Sequence, residues 1–250
     1  MARGEVAHFR RSSVSFKGLT NAQGFSLLFE MTSARQLLAQ GHQLLLSDQD
    51  VDAKLDAVLT CLSIGAEKML KVLVGVSALH EGLPWPNLKG YSHDLNALDG
   101  RVRELLDAWM AQAPRSEYLS ELHAALVADP LWIELRGLLS SYGSRARFFH
   151  LDSIGSNPQE GDSPVDRWSR VENLAVELDP NLQARDFASM RPAEFEEYLQ
   201  AINEAIARSL VRWWFTVTRL GRHGALGEDA MQICPGIEPQ NALPRIDFHP

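Results

Sequence analysis

Leu55, Leu62, Met69 and Val76 fall seven residues apart, and Val58, Leu59, Gly65, Val72 and Leu73 fill the adjoining positions. Residues at these intervals share one side of an α-helix, and the band they form is wide. A helix with so broad an apolar face must be covered by several neighbours, so Asp50–His80 is predicted to be a core helix. Ser47, Asp48 or Asp50 can cap its start. Gly82, Pro84 and Pro86 end it. Glu67, Lys68 and Lys71 interrupt the stripe in mid-course, with Lys71 one turn after Glu67, the favourable order for an ion pair along a helix.

The rest of the chain has the same texture. Helical spacing is predicted over Phe25–Ser47, His93 to about Met110, Ser116–Val127, Pro130 to about His150, Pro164–Leu178 and Pro192 to about Leu220. Asp129 caps the helix that runs to about His150, with Pro130 at its first position. Gly221 is the expected residue just past the last. No series of strands and no internal repeat occurs. The expected fold class is all-α, a helical bundle of about six or seven helices. Residues 1–25 read as an N-terminal arm carrying Arg3, Arg10, Arg11 and Lys17, in which Val14 and Phe16 alternate with serines. Residues 26–151 form a helical core. Residues 152–228 supply C-terminal helices packed on that core, because each has an apolar face but too little partner material of its own. Residues 229–250, rich in proline, are expected to be an extended tail.

Composition narrows the function. Hydrophobic residues make up 45% of the chain and there are six tryptophans, enough to build a substantial core. A net charge of −8 argues against a general nucleic-acid coat protein, whose binding comes from phosphate neutralisation, while leaving room for a local basic groove. Cys61 and Cys234 are too few for a disulfide framework or a zinc ribbon, and this usage suits the reducing cytoplasm. The first residues lack the apolar stretch of a signal peptide, and no uninterrupted apolar run reaches the roughly 18 residues that span a bilayer. His80, His93, His123 and His150 are scattered, with no metal-binding spacing. Nucleophile elbows and phosphate cradles are missing too. Neither a metal nor a cofactor is expected.

Three stretches in order carry a family resemblance: Gly65-Ala-Glu-Lys-Met-Leu-Lys-Val-Leu73; a Gly/Pro loop leading into His93-Asp94-Leu95; and Arg145-Ala-Arg-Phe-Phe-His150. Together they resemble the HEPN superfamily of small helical proteins over residues 26–151, with the C-terminal helices as an extension. The superfamily holds both ribonucleases and catalytically silent binding domains. In its catalytic members the Arg and His of the third stretch come together across a dimer and cut RNA through the 2′-hydroxyl without a metal. The resemblance therefore implies Arg145 as phosphate clamp and His150 as acid or base, in prokaryotic defence or stress response. Imidazole moves a proton near neutral pH, and guanidinium holds phosphate bidentately.

The residues themselves leave alternatives open. On an unbroken helix, Arg145 and His150 would point roughly 140° apart, whereas Arg147 and His150 would share a face. All three could instead satisfy the last carbonyls of a helix. Glu67 is an alternate site residue that could face the arginines of the later helix. Of Ser92, His93 and Asp94, one should cap the helix that follows. Arg212, Trp213, Trp214 and Arg219 form a basic-aromatic candidate for an interface or a nucleic-acid contact, or else a core stripe edged by arginines. Three functions follow: an RNA-binding or RNA-cleaving protein, a non-catalytic interaction module acting as a homodimer or on a protein partner, and a small-molecule or nucleotide sensor.

Overall fold

The computed structural model describes residues 16–47, 51–112, 116–185 and 190–239. Side chains that accept backbone N–H groups set most helix starts: Thr20, Asp94, Ser116, Asp129, Ser163 and Asp179 each relieve donors that the helix cannot satisfy itself. The helices they open are α1 (Asn21–Leu46), α3 (Leu95–Met110), α4 (Glu117–Val127), α5 (Pro130–Ser144), α7 (Pro164–Leu178) and the single-turn α8 (Pro180–Gln183). The apolar stripe becomes α2 (Leu55–His80), entered through a 3₁₀ turn. A six-residue α6 (Phe149–Ile154), the 31-residue α9 (Pro192–Arg222) and α10 (Glu228–Ile237) complete the set. No strand occurs among the described residues.

α1 and α2 lie side by side and antiparallel, Gly41 facing Leu62, Leu38 facing Gly65 and Glu30 paired with Lys68. The two glycines set the spacing. A Cβ at Gly65 would sit 2.9 Å from the Leu38 backbone nitrogen, and one at Gly41 would sit 2.5 Å from Leu62 Cδ2. α9 runs against α4, α5, α7 and α1, and α10 folds back on α9, α2 and α1. One buried cluster runs from Phe16 to Ile237.

Each of the seven predicted stretches contains a helix, but the described residues hold ten rather than about six or seven, and the three extra have separate causes. α5 does not continue to His150: it ends at Ser144, Arg145 adopts φ −152°, and the chain restarts through a 3₁₀ turn (Ala146–Phe148) into α6. α8 is a one-turn helix started by Asp179, just past the predicted end of the preceding helix at Leu178. The third is α10, in place of the first part of the extended tail. Ala230, Ile233, Cys234 and Ile237 repeat at helical spacing and are buried, which outweighs Pro235 inside the helix. Gly221 is not the residue past α9 but lies within it. A Cβ there would meet Cys234 Sγ at 2.6 Å, so this glycine admits α10. The arm at residues 1–15, including Val14 and the basic residues Arg3, Arg10 and Arg11, lies outside the described residues, as do Asp48, Asp50 and residues 240–250. Phe16, at the arm's described end, is buried.

Candidate functional site

Glu67 faces the loop before α3 rather than the later arginines. Its carboxylate accepts from Lys71 Nζ at 2.7 Å and from His93 Nδ1 at 2.8 Å. Lys71 also donates to the Ser92 carbonyl at 2.7 Å. These bonds tie the middle of α2 to residues 92–93. Ser92 needs the restraint, since its φ of +47° is a costly conformation for a residue with a side chain. Asp94 then caps α3, its Oδ1 accepting from Ala97 N at 3.0 Å. A carboxylate on Nδ1 fixes the imidazole's orientation and favours the proton on that nitrogen. His93 Nε2 is left without a hydrogen-bond partner among the described residues. The root of the side chain lies against α5, where a Cβ at Gly143 would meet His93 Cβ at 3.6 Å.

His93 lines an open cleft of about 410 Å³. Serines 140, 141 and 144 of α5 and Arg167 of α7 line it as well. The Arg167 guanidinium lies over Gly137 and donates to Ser141 Oγ. Among the described residues Arg167 is half-buried and has no carboxylate partner. A neighbouring depression of about 430 Å³ meets the cleft at Asp94 and is lined also by Asn87 and Tyr91.

The residues singled out from sequence do not form one group, and Arg145, Arg147 and His150 are not among the residues lining this cleft. Arg145 is the exposed residue that closes α5, its carbonyl accepting from Gln159 Nε2 at 2.9 Å. Arg147 lies in the 3₁₀ turn with its guanidinium 5.0 Å from the Phe148 ring centre. His150 is exposed on α6, edge-on to Phe149 at 5.5 Å. It is close enough to Asp166 for their charges to interact. The Asp166 carboxyl is held below its ordinary range mainly by hydrogen bonds from Ser163, with Arg170 and His150 adding to the effect. No hydrogen bond, ion pair or ring contact joins Arg145 to His150 among the described residues. Lys68 is turned away on the α1 side, paired with Glu30 at 2.5 Å.

The basic-aromatic candidate on α9 is corrected in its aromatic half. Trp213 and Trp214 are buried core residues. Trp213 stacks on Trp132 at 3.9 Å between ring centres and donates to Asp99 at 2.8 Å, while Trp214 donates to the Ile237 carbonyl at 2.6 Å. With neither ring at the surface, no partner or base can stack on them. Arg212 reaches Asp129 at 3.4 Å, and Arg219 reaches Glu238 at 3.4 Å while covering the Phe215 ring. These arginines edge the core stripe.

Compared with protein-family models, with curated proteins and with solved structures, the chain matches none. Arg167 and the α5 serines were not visible as site residues in the sequence. The usable signal was Ser140, Ser141 and Ser144 breaking the apolar stripe of α5, together with an arginine one turn beyond the Ser163 cap. No group of three or more His, Cys, Asp or Glu side chains able to hold a metal ion gathers among the described residues. No helix among them is long and apolar enough to cross a membrane.

Proposed function

We propose that this is a HEPN-like protein that acts on RNA in prokaryotic defence or stress response. In this reading it works in the cytoplasm, binds the strand beside the end of α5 and cuts it without a metal. One convergence supports the reading. The stretches around Glu67 and His93, 26 positions apart, are joined directly, and the last turn of α5, leading into Arg145, lines the same cleft. Arg145 and His150 are both exposed, so a strand can reach them. The guanidinium would hold a phosphate, and the imidazole would take the 2′-hydroxyl proton or supply one to the departing 5′-oxygen. Because the two residues stand on separate elements, the working unit in this reading is a homodimer in which one copy's Arg145 serves the other's His150.

The test is incubation of the purified chain with mixed-sequence single-stranded RNA in the presence of a chelator. The wild type is expected to cut it, and His150→Ala to abolish cutting with an unchanged melting temperature. Arg145→Ala should weaken RNA binding as well. A wild-type dimer that neither binds nor cuts RNA overturns the reading.

A second reading, a non-catalytic dimerising module, is favoured by α6. Phe148, Leu151 and Ile154 recur every third residue and are 47%, 65% and 85% exposed. A short helix with an uncovered apolar side suits a second copy of the chain. Leu151→Glu with Ile154→Glu should then halve the mass seen by size exclusion. RNA would remain uncut by the wild type.

A further inference from the structure

We propose that the two adjoining depressions at the start of α3 form a binding site for a single ribonucleotide unit, its phosphate held by Arg167 and His93 and its base laid against Tyr91. The RNA reading above is needed only for one point, that this nucleotide belongs to a strand.

The cleft between α3, α5 and α7 has the features of an oxyanion site. Arg167 carries a positive charge that no carboxylate among the described residues neutralises, and it is anchored through Ser141 and packed over Gly137. A half-buried guanidinium in that position gains most from a ligand that supplies the missing negative charge bidentately. His93 also lines the cleft. Its Nδ1–H is held by Glu67, whose charge Lys71 balances, and the ring donates to a phosphate oxygen from Nε2 when that nitrogen too carries a proton. Of the Asp94 carboxylate, which could repel an anion, Oδ1 is engaged by Ala97 N and by Ser140 Oγ. Asn96 on the lining is likewise engaged, its Oδ1 accepting from Arg136.

The second depression argues for a nucleotide over bare phosphate. Tyr91 and Asn87 line it, an aromatic ring for the face of an unstacked base and, since Asn87 Oδ1 already accepts from Lys89 N, an amide Nδ2 for its edge. It meets the phosphate cleft at Asp94. At about 410 and 430 Å³, each depression lies within the range of small-molecule sites.

The test follows the ring resonances of His93 and Tyr91 by NMR in the full-length protein, with uridine 3′-monophosphate, inorganic phosphate and uridine as probes. Uridine 3′-monophosphate is expected to shift both residues saturably, with a Kd of about 1 mM or tighter. Inorganic phosphate should shift His93 alone and more weakly, and uridine should do neither at the same concentration. Arg167→Gln should weaken both phosphate-bearing probes about tenfold or more. Arg170→Gln, on the same helix but paired with Asp162, should leave them unchanged. Tyr91→Ala should weaken the nucleotide and spare inorganic phosphate.

A wild-type protein whose His93 ignores uridine 3′-monophosphate overturns the proposal without any variant. So does binding that Arg167→Gln and Arg170→Gln weaken equally, because that marks diffuse attraction. If the nucleotide binds as described and RNA is neither bound nor cut, the site stands and the RNA reading falls. If RNA is cut and the nucleotide leaves His93 unmoved, the reverse holds.

Discussion

Asp99 shows what the interior of this protein demands of a single side chain. Its carboxylate is fully buried, and it accepts from Arg103 at 2.6 Å, from Arg136 and from Trp213 Nε1 at 2.8 Å. Burial of one charge is tolerated because two guanidiniums neutralise it, and an indole satisfies the second oxygen. Asp99→Ala would strand both arginines, and it is expected to cost about 3–5 kcal/mol in urea unfolding. A loss under about 1 kcal/mol would mean that water already reaches the site. Tyr142 gives a pH-dependent counterpart. Burial, then a hydrogen bond to Asp56, push its phenol from the ordinary 10 up to about 12, with Thr60 and Arg147 pulling the other way. A folded value above the unfolded one means the neutral form is favoured by folding. The stability it contributes is complete below pH 10 and is lost as pH rises through about 12. Stability should therefore slope downward in that window, and Tyr142→Phe should flatten the slope. An equal slope in the variant would assign it to other groups.

At the scale of elements, caps and stripes were legible, and interruptions were not. Pro164–Leu178 coincides with α7 because a serine cap and a proline mark one end and Asp179-Pro180 the other. The end of α5 was hidden because Arg145-Ala-Arg-Phe-Phe-His is compatible with helix by local propensity, and only tertiary packing bends it away. The candidate site suffered the same way: Glu67 and His93 could be picked out, but their mutual bond depends on how the loop after α2 returns, which no local pattern encodes. α10 was obscured by its proline, and its entry hangs on Gly227. That residue has φ +90° and ψ 178°, a region open to glycine alone, and a Cβ there would lie 2.1 Å from His80 Cγ. Gly227→Ala is expected to cost more than the ~1–3 kcal/mol of backbone strain, because the His80 ring must also move. A melting temperature equal to wild type would show that α10 docks without this turn.

Across the whole molecule, the helices after α6 share their burial with those before it. Trp213 of α9 bonds Asp99 of α3, Ser209 bonds Asp129 at 2.9 Å, and Arg167 of α7 rests on α5. Separating the halves would open these buried polar groups to water and remove the stacking partner of Trp132. Denaturation is therefore expected as one transition, with far-ultraviolet circular dichroism and tryptophan fluorescence coinciding. Two resolved steps would mean that residues 26–151 hold together alone. α10 adds a constraint of timing. It docks against α1 and α2, which are made well before it, and Trp214 finds its acceptor only at Ile237. A nascent chain emerging from the ribosome must therefore keep the flank of the α1–α2 pair uncovered until residue 237 has cleared the exit tunnel, an interval in which a chaperone has the most to protect.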